Sequence, residues 1–337
     1  MSSSISYPHS TSPAPGVAVT LAEGVEWLWM PLPFALNHIN LWLLADGDGV
    51  AAIDTGYALD EVKTAWKSAL AGRRLTRSIV THGHPDHLGL AAWLEAETGA
   101  PLWMTQGDYV VSHMIRDQIA GYSIASMLDL FCAHGLDEAR ADALRQRGNS
   151  YRIGVPAIPA QFRRIMDDQI IPIGGRDWRV IVGYGHATEH ASLYCAELGI
   201  LISGDMLLPR ISTNVPVLAC SPNDNPLKLF LDSIDGFRSL PADTLVLPSH
   251  GRPFYGLHAR IDQLHAHHAN RCEVLLAACG ESKTATELIP ILFDRDIPDP
   301  HQVMFAMGEA IAHLNYLEHA GRLIRSTDAG INRYANH

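Results

Sequence analysis

Hydrophobic and polar positions alternate, then change period, along this chain in a way that marks out its elements. The apolar runs Val25–Met30 and Ile39–Ala45 read as strands, and Asp46-Gly47-Asp48-Gly49 turns the second into Val50–Ile53 to make a hairpin. Val62, Ala65, Trp66 and Ala69 share one helical face, so Asp60–Ala71 is predicted as a helix. Arg77–Val80 ends on an apolar β-branched pair and reads as a buried strand running out into a loop. Leu88–Thr98 comes next as a helix stopped by Gly99, then Pro101–Met104 as a strand. From Gln106 to about Ile173 the period becomes helical, with Asp108–Ala120, Tyr122–His134 and Asp137–Arg147 as three candidate helices of an insertion. Strand patterns return at 179–182, 200–203 and 244–247. The last third is helical again: Gly256–Cys279, a short helix capped by Thr within Lys283–Leu288, and Val303–Ala320, which ends at Gly321 before the strand-like Leu323-Ile324.

The residues at the ends of four of these strands change the picture. After Val80 comes Thr81-His82-Gly83-His84-Pro85-Asp86-His87, and burying that much imidazole and carboxylate without a partner is costly. His82 and His84, one residue apart, can face the same way on an extended loop, while Pro85 carries Asp86 and His87 round a turn toward a second ion. The later strands run into His186, Asp205 and His250. A single His or Asp after a strand is most often a turn or surface residue; four strands delivering them to one rim would assemble a site from distant sequence. Five histidines and two aspartates are too many for one tetrahedral zinc and fit two ions sharing a carboxylate. Asp54, at the end of Val50–Ile53, is either a turn former or a partner that holds a metal-bound histidine. Tyr184 and His190 flank His186 closely enough to reach the rim, though packing on the sheet and capping of Glu189–Tyr194 explain them equally well.

Composition narrows the function class. With 337 residues and 47% hydrophobic content, the chain can bury a large core and form one big domain plus a small one. The formal charge of −11 argues against a nonspecific polyanion binder, since phosphate contacts need clustered Lys and Arg. Five scattered cysteines suggest neither a disulfide framework nor a CxxC metal site. Residues 1–16, rich in Ser and Pro, read as a disordered leader and resemble neither a signal nor a transit peptide. No apolar run approaches the roughly 20 residues that span a bilayer, so the expected location is the cytoplasm.

The ordered set His82-x-His84-x-Asp86-His87, His186, Asp205 and His250 is similar to that of the metallo-β-lactamase superfamily of dinuclear hydrolases, over most of the chain to about residue 255. The resemblance implies an α/β fold, a four-layer αββα sandwich over 17–255 with the helical insertion at about 106–173. It also implies that His82, His84 and His186 hold one divalent ion, that Asp86, His87 and His250 hold a second, and that Asp205 bridges them. Zinc is the expected metal, with iron or manganese acceptable; Asp54 matches the family's aspartate before the first helix. A hydroxide held by the two ions would be the nucleophile, oriented by Asp86 as the catalytic residue. Residues 256–337 resemble the winged-helix-like appendage of a glyoxalase II-like branch, here with too little basic charge for nucleic acid and better suited to packing or a homodimer. The favoured substrate is a small molecule with an apolar portion, a thioester such as an acyl-CoA or acyl-glutathione conjugate. Lactone hydrolysis, phosphodiester or nuclease chemistry, and mononuclear-iron sulfur dioxygenation are the alternatives. Residues 108–134, with Val110, Met114, Ile115, Met127, Leu128 and Phe131, would form an apolar wall beside the metals.

Overall fold

The computed structural model describes residues 4–337, which gather into two compact units. The first holds the chain up to Arg116, Tyr151–Thr213 and Ser233–Ile261; the second holds Asp117–Ser150, Asn214–Asp232 and Asp262–His337.

Two sheets build the first unit. β1 (Val19–Ala22), β2 (Val25–Pro31), β3 (His38–Asp46), β4 (Gly49–Ile53), β5 (Arg74–Ile79), β6 (Leu102–Thr105) and β7 (Arg163–Ile165) lie side by side in chain order, antiparallel as far as β4 and parallel from there on. β8 (Ile170–Ile173), β9 (Arg176–Gly183), β10 (His190–Cys195), β11 (Ile200–Gly204) and β12 (Leu245–Pro248) form the second sheet, with only β11 and β12 parallel neighbours. Alternation explains how they meet. Trp27, Trp42, Ile53 and Ile79 from one sheet interdigitate with Trp178, Val180, Leu193, Ile202 and Leu247 from the other in a single apolar cluster.

The positions between those residues point outward, to Leu28, Leu41, Leu43 and Ala52, and are covered by Val62 and Trp66 of α1 (Asp60–Leu70) and Leu94 of α3 (Ala91–Thr98), with the short α2 (Pro85–Leu88) between them. On the second sheet Leu201 and Val246 alternate with core positions and are also fully buried, so its outer face is covered too. The fold is the expected α/β sandwich of sheets between helices.

The leader departs from expectation. Residues 1–3 lie outside the described residues, but 4–16 are tied to the first unit. Ser6 pairs with Tyr255, the Arg252 guanidinium lies 4.5 Å over the Tyr7 ring, and Arg252 donates to the carbonyls of His9 and Ser10. Its Ser and Pro content masked an extended arm that takes its hydrogen bonds from another segment.

The insertion is also not one body. α4 (Gln106–Arg116) and α7 (Tyr151–Gly154) belong to the first unit, whereas α5 (Ile124–Ala133) and α6 (Glu138–Arg147) belong to the second. Leu128 and Phe131 are buried, and the stretch 108–134 expected as a single wall is divided between the two units after Arg116. The end of the proposed insertion, residues 163–173, holds β7 and β8 instead of helix.

α8 (Pro226–Gly236) precedes β12, and α9 (Leu257–Ala278) leads into α10 (Ala285–Phe293), α11 (Pro300–His319) and the hairpin of β13 (Leu323–Asp328) and β14 (Ile331–Asn336). Thr284 caps α10 with a reciprocal box: its hydroxyl accepts from Glu287 N–H at 3.2 Å, and Glu287 Oε2 accepts from Thr284 N–H at 2.7 Å. Thr284→Ala should therefore cost about 1 kcal/mol, seen as a lower urea midpoint for the second unit with unchanged activity.

Candidate metal centre

All the strands that carry chemistry run toward one rim. Asp54 follows β4, the Thr81–His87 loop follows β5, His186 follows β9, Asp205 follows β11 and His250 follows β12. Pro85 begins the one-turn helix α2 here, not the turn expected, because proline at a first helical position lacks only an N–H that would be unpaired anyway. Asp86 and His87 thereby join His250 in a separate group, with the His87 ring 3.9 Å from that of His82.

The seven side chains converge in two groups, His82, His84, His186 and Asp205 in one, Asp86, His87 and His250 in the other, with the ligand-type atoms of each group within 4.8 Å of one another. His82 Nε2 lies 2.9 Å from His84 Nδ1 and 3.1 Å from His186 Nε2. In the second group His250 Nε2 is 3.4 Å and His87 Nε2 is 3.7 Å from Asp86 Oδ2. Asp205 spans both: Oδ2 stands 3.4 Å from His186 Nε2, while Oδ1 stands 3.5 Å from His250 Nε2. Ligand atoms about 2.0–2.1 Å from a tetrahedral ion sit roughly 3.3 Å apart, so these spacings fit. The buried His87 Nε2 and Asp205 Oδ1 have no hydrogen-bond partner, which a cation between them would supply.

Neighbouring acceptors fix the histidine tautomers. Asp54 is buried, and its carboxylate accepts from Thr81 N–H at 2.8 Å and from His87 Nδ1 at 2.8 Å. Its φ of 64° is left-handed, a conformation aspartate tolerates better than most residues. Thr81 Oγ1, donating to Asp54, is left to accept from His82 Nδ1 at 3.1 Å. His250 Nδ1 donates to the His38 carbonyl at 2.8 Å. In each case the proton is held on Nδ1, so Nε2 faces the centre and offers its lone pair to a cation once its own proton has left.

His190 is fully buried and its Nε2 accepts from Asp205 N–H at 3.0 Å, so it orients Asp205 through the backbone. Gly204, at φ +54°, is needed beside it, since a Cβ there would run into the His190 ring. Tyr184 is not brought into the cluster: its side chain is 42% exposed, and its N–H donates to Ser233 Oγ.

Two supports were not foreseen. Asn40, a polar residue in an otherwise apolar strand, donates to the carbonyls of Pro248 and Gly251 on either side of His250, at 2.8 and 2.7 Å. His38 accepts from Gly251 N–H at 3.0 Å through Nε2. The polar interruption at Asn40 was a legible signal; the role of His38 follows from long-range contacts alone.

The electrostatics suit a cation. Burial opposes a charge on Asp86, but His87 and His250 outweigh it and hold the carboxyl down to about 2; burial likewise opposes ionisation of Asp205, and His250 and His87 overcome it. Burial and His186 lower His84 to about 3. Burial also works against a charge on His250 and His87, yet the carboxylates prevail: Asp205 and Asp86 raise His250 to about 10, and Asp54 and Asp86 raise His87. His250 is thus protonated at pH 7 when no cation is bound, and the shift at His87 runs in the same direction. Ion uptake should expel at least one proton, and apparent affinity should climb as pH rises toward 10. Calorimetric titration in buffers of different ionisation enthalpy reads the proton count directly.

The family model described as the metallo-β-lactamase superfamily matches residues 36–250, a span that contains all seven convergent side chains. The chain belongs to the metallo-β-lactamase superfamily. A second model, the metallo-β-lactamase-like C-terminal domain, matches residues 272–337. Among solved structures, a β-lactamase domain protein from Burkholderia ambifaria is 44% identical, with 99% of this chain and 98% of that chain covered and a TM-score of 0.92. A metallo-β-lactamase family protein from Thermus thermophilus is 31% identical over 94% of this chain and 100% of its own, with a TM-score of 0.79. A Bacillus subtilis protein described as a "probable metallo-hydrolase" is 24% identical over 317 residues, 88% of this chain and 92% of that protein. This superfamily member is a metallo-hydrolase, and its His/Asp cluster is of the kind that could hold divalent metal ions.

Proposed function

We propose that the chain hydrolyses thioesters of small acyl groups with two ions, zinc by preference, the first held by His82, His84 and His186, the second by Asp86, His87 and His250, with Asp205 between them. The ions would supply a hydroxide-strength nucleophile at neutral pH and polarise the substrate carbonyl. The chain's own groups do the rest. His190, Asp54 and Thr81 hold the inner side chains in register, and Asp86, kept ionised, accepts a hydrogen bond that orients the attacking water.

The observation that carries the acyl reading is an apolar collar in the first unit. Phe34 and Leu36, each 37% exposed, lie on the loop leading to His38, whose carbonyl holds His250. Phe34 meets the edge of Tyr57, on the segment after Asp54, at 5.4 Å, and Ile153 is 67% exposed next to Gly154, which packs on Tyr57 and Pro85. Such a rim favours an apolar substituent over a polynucleotide.

The test is a screen of metal-loaded protein against acyl-CoA and acyl-glutathione thioesters, lactones and bis(p-nitrophenyl) phosphate. Thioesters should lead, with kcat/KM rising up to about fourfold per methylene, since full burial of one is worth about 0.8 kcal/mol. Phosphodiester turnover in the lead would move the chain to the nuclease class, lactone turnover to the lactonases, and oxygen consumption with a persulfide and one iron per chain to the dioxygenases. We assign α9–α11 and the β13–β14 hairpin to a winged-helix-like module that serves packing or homodimer formation, given the acidic chain.

A further inference from the structure

We propose that Asp108 is a positioning residue whose carboxylate fixes the distance between the His82–His84 loop and the His186 loop, and so sets the affinity of the first ion site. The inference rests on the reading that this site holds an ion. Asp108 lies on α4, outside the metal-ligand motif, and is only 3% exposed. Its Oδ2 accepts from Gly83 N–H at 3.0 Å, and Gly83 stands between His82 and His84. Its Oδ1 accepts from Thr188 N–H at 3.1 Å and Glu189 N–H at 3.3 Å, just after His186. One carboxylate therefore clamps the two loops that supply the three histidines of the first group.

The clamp is braced from both sides. Glu189 reciprocates by accepting from Gly107 N–H at 2.7 Å, and its carbonyl accepts from Thr105 Oγ1 at 2.8 Å, so α4 and the His186 loop cap one another. On the other side the Gly83 carbonyl accepts from Tyr151 OH at 2.6 Å. Ser112 Oγ, held by the Asp108 carbonyl at 2.7 Å, fills the space where a Cβ on Gly83 would stand. Gly83 cannot shift without breaking these contacts, and His82 and His84 are its immediate neighbours.

Burial raises the Asp108 carboxyl to about 6 against the pull of the three N–H groups. A folded-state value above the unfolded one means that this residue's contribution to stability falls as pH rises through about 6. At neutral pH the ionised form is a net cost to the fold, as expected of a residue kept for its acceptor geometry rather than for packing.

Asp108→Asn tests this, because the amide keeps the size but can offer only one acceptor oxygen, so one loop loses its anchor. Zinc would be titrated into ion-free wild type, Asp108→Asn and Asp54→Asn in competition with a chromophoric chelator, the two binding steps being assigned with His84→Ala and His250→Ala. Asp108→Asn should weaken the first-site step about 10–100-fold and leave the second within about threefold; Asp54→Asn, which loosens His87 directly and His82 through Thr81, should weaken both steps. The melting temperature of the ion-free Asp108→Asn protein should stay at or above wild type at pH 8. Wild-type affinity at both steps, or equal loss at both steps alongside a lowered melting temperature, would overturn the proposal by reducing Asp108 to a packing residue. Wild-type protein that binds no zinc at all would remove the premise as well, an outcome visible before any variant is made.

Discussion

Asp205→Ala is expected to lower kcat/KM by on the order of 10³-fold or more and to weaken both ion sites together, at about 1.4 kcal/mol per factor of ten. Asp205 is alone among the seven in placing one oxygen against His186 and the other against His250 and His87, at 3.4, 3.5 and 3.7 Å. Its removal leaves the raised protons on His87 and His250 with one carboxylate fewer and, on the proposed two-ion reading, takes the shared ligand from both groups. His250→Ala should behave differently and empty chiefly the second group. Metal content and kinetics of the two variants, measured side by side, separate a bridging role from a peripheral one: identical profiles would count against the bridge.

Trp178→Ala should cost about 3–5 kcal/mol of stability and leave the chemistry of the surviving folded protein nearly untouched. Trp178 is 1% exposed and belongs to the cluster in which both sheets interlock with Trp27 and Trp42. The cavity left by an indole there cannot be filled without moving a sheet. Yet Trp178 stands near the start of β9, at the end away from His186. Chemical denaturation should show a lower midpoint, while kcat at a temperature where the variant is folded stays within about threefold of wild type. A loss of ions matching the loss of stability would show instead that the sandwich core and the rim are one cooperative element.

The pattern of residues foretold much of this. Strands ending in His or Asp could be read because each was apolar, bounded by Gly or Pro, and followed at once by a group that makes little sense in a turn. Other features escaped for identifiable reasons. β10, His190–Cys195, does alternate, with Ala191, Leu193 and Cys195 in the core between His190, Ser192 and Tyr194, but the run is short and its leading histidine was read as a cap. β14, Ile331–Asn336, has a single fully buried side chain, Tyr334, and too little apolar content to signal a strand. α8 did carry Leu227, Phe230 and Ile234 at helical spacing, a signal that was there to be used. Asp108 could not have been found, because all three of its N–H donors lie in loops 25 to 81 residues away. The insertion was read as one helical block because periodicity reports which faces are apolar and is silent on which unit each face joins.

The central claim is that two groups of side chains hold two ions that act together. The most direct measurement is elemental analysis of the purified, active protein while its metal content is raised stepwise from the ion-free state, with thioester turnover followed at each step. Two ions per chain, with activity appearing in step with the second, is the predicted result. Full activity in protein that holds one ion per chain at saturation would contradict it.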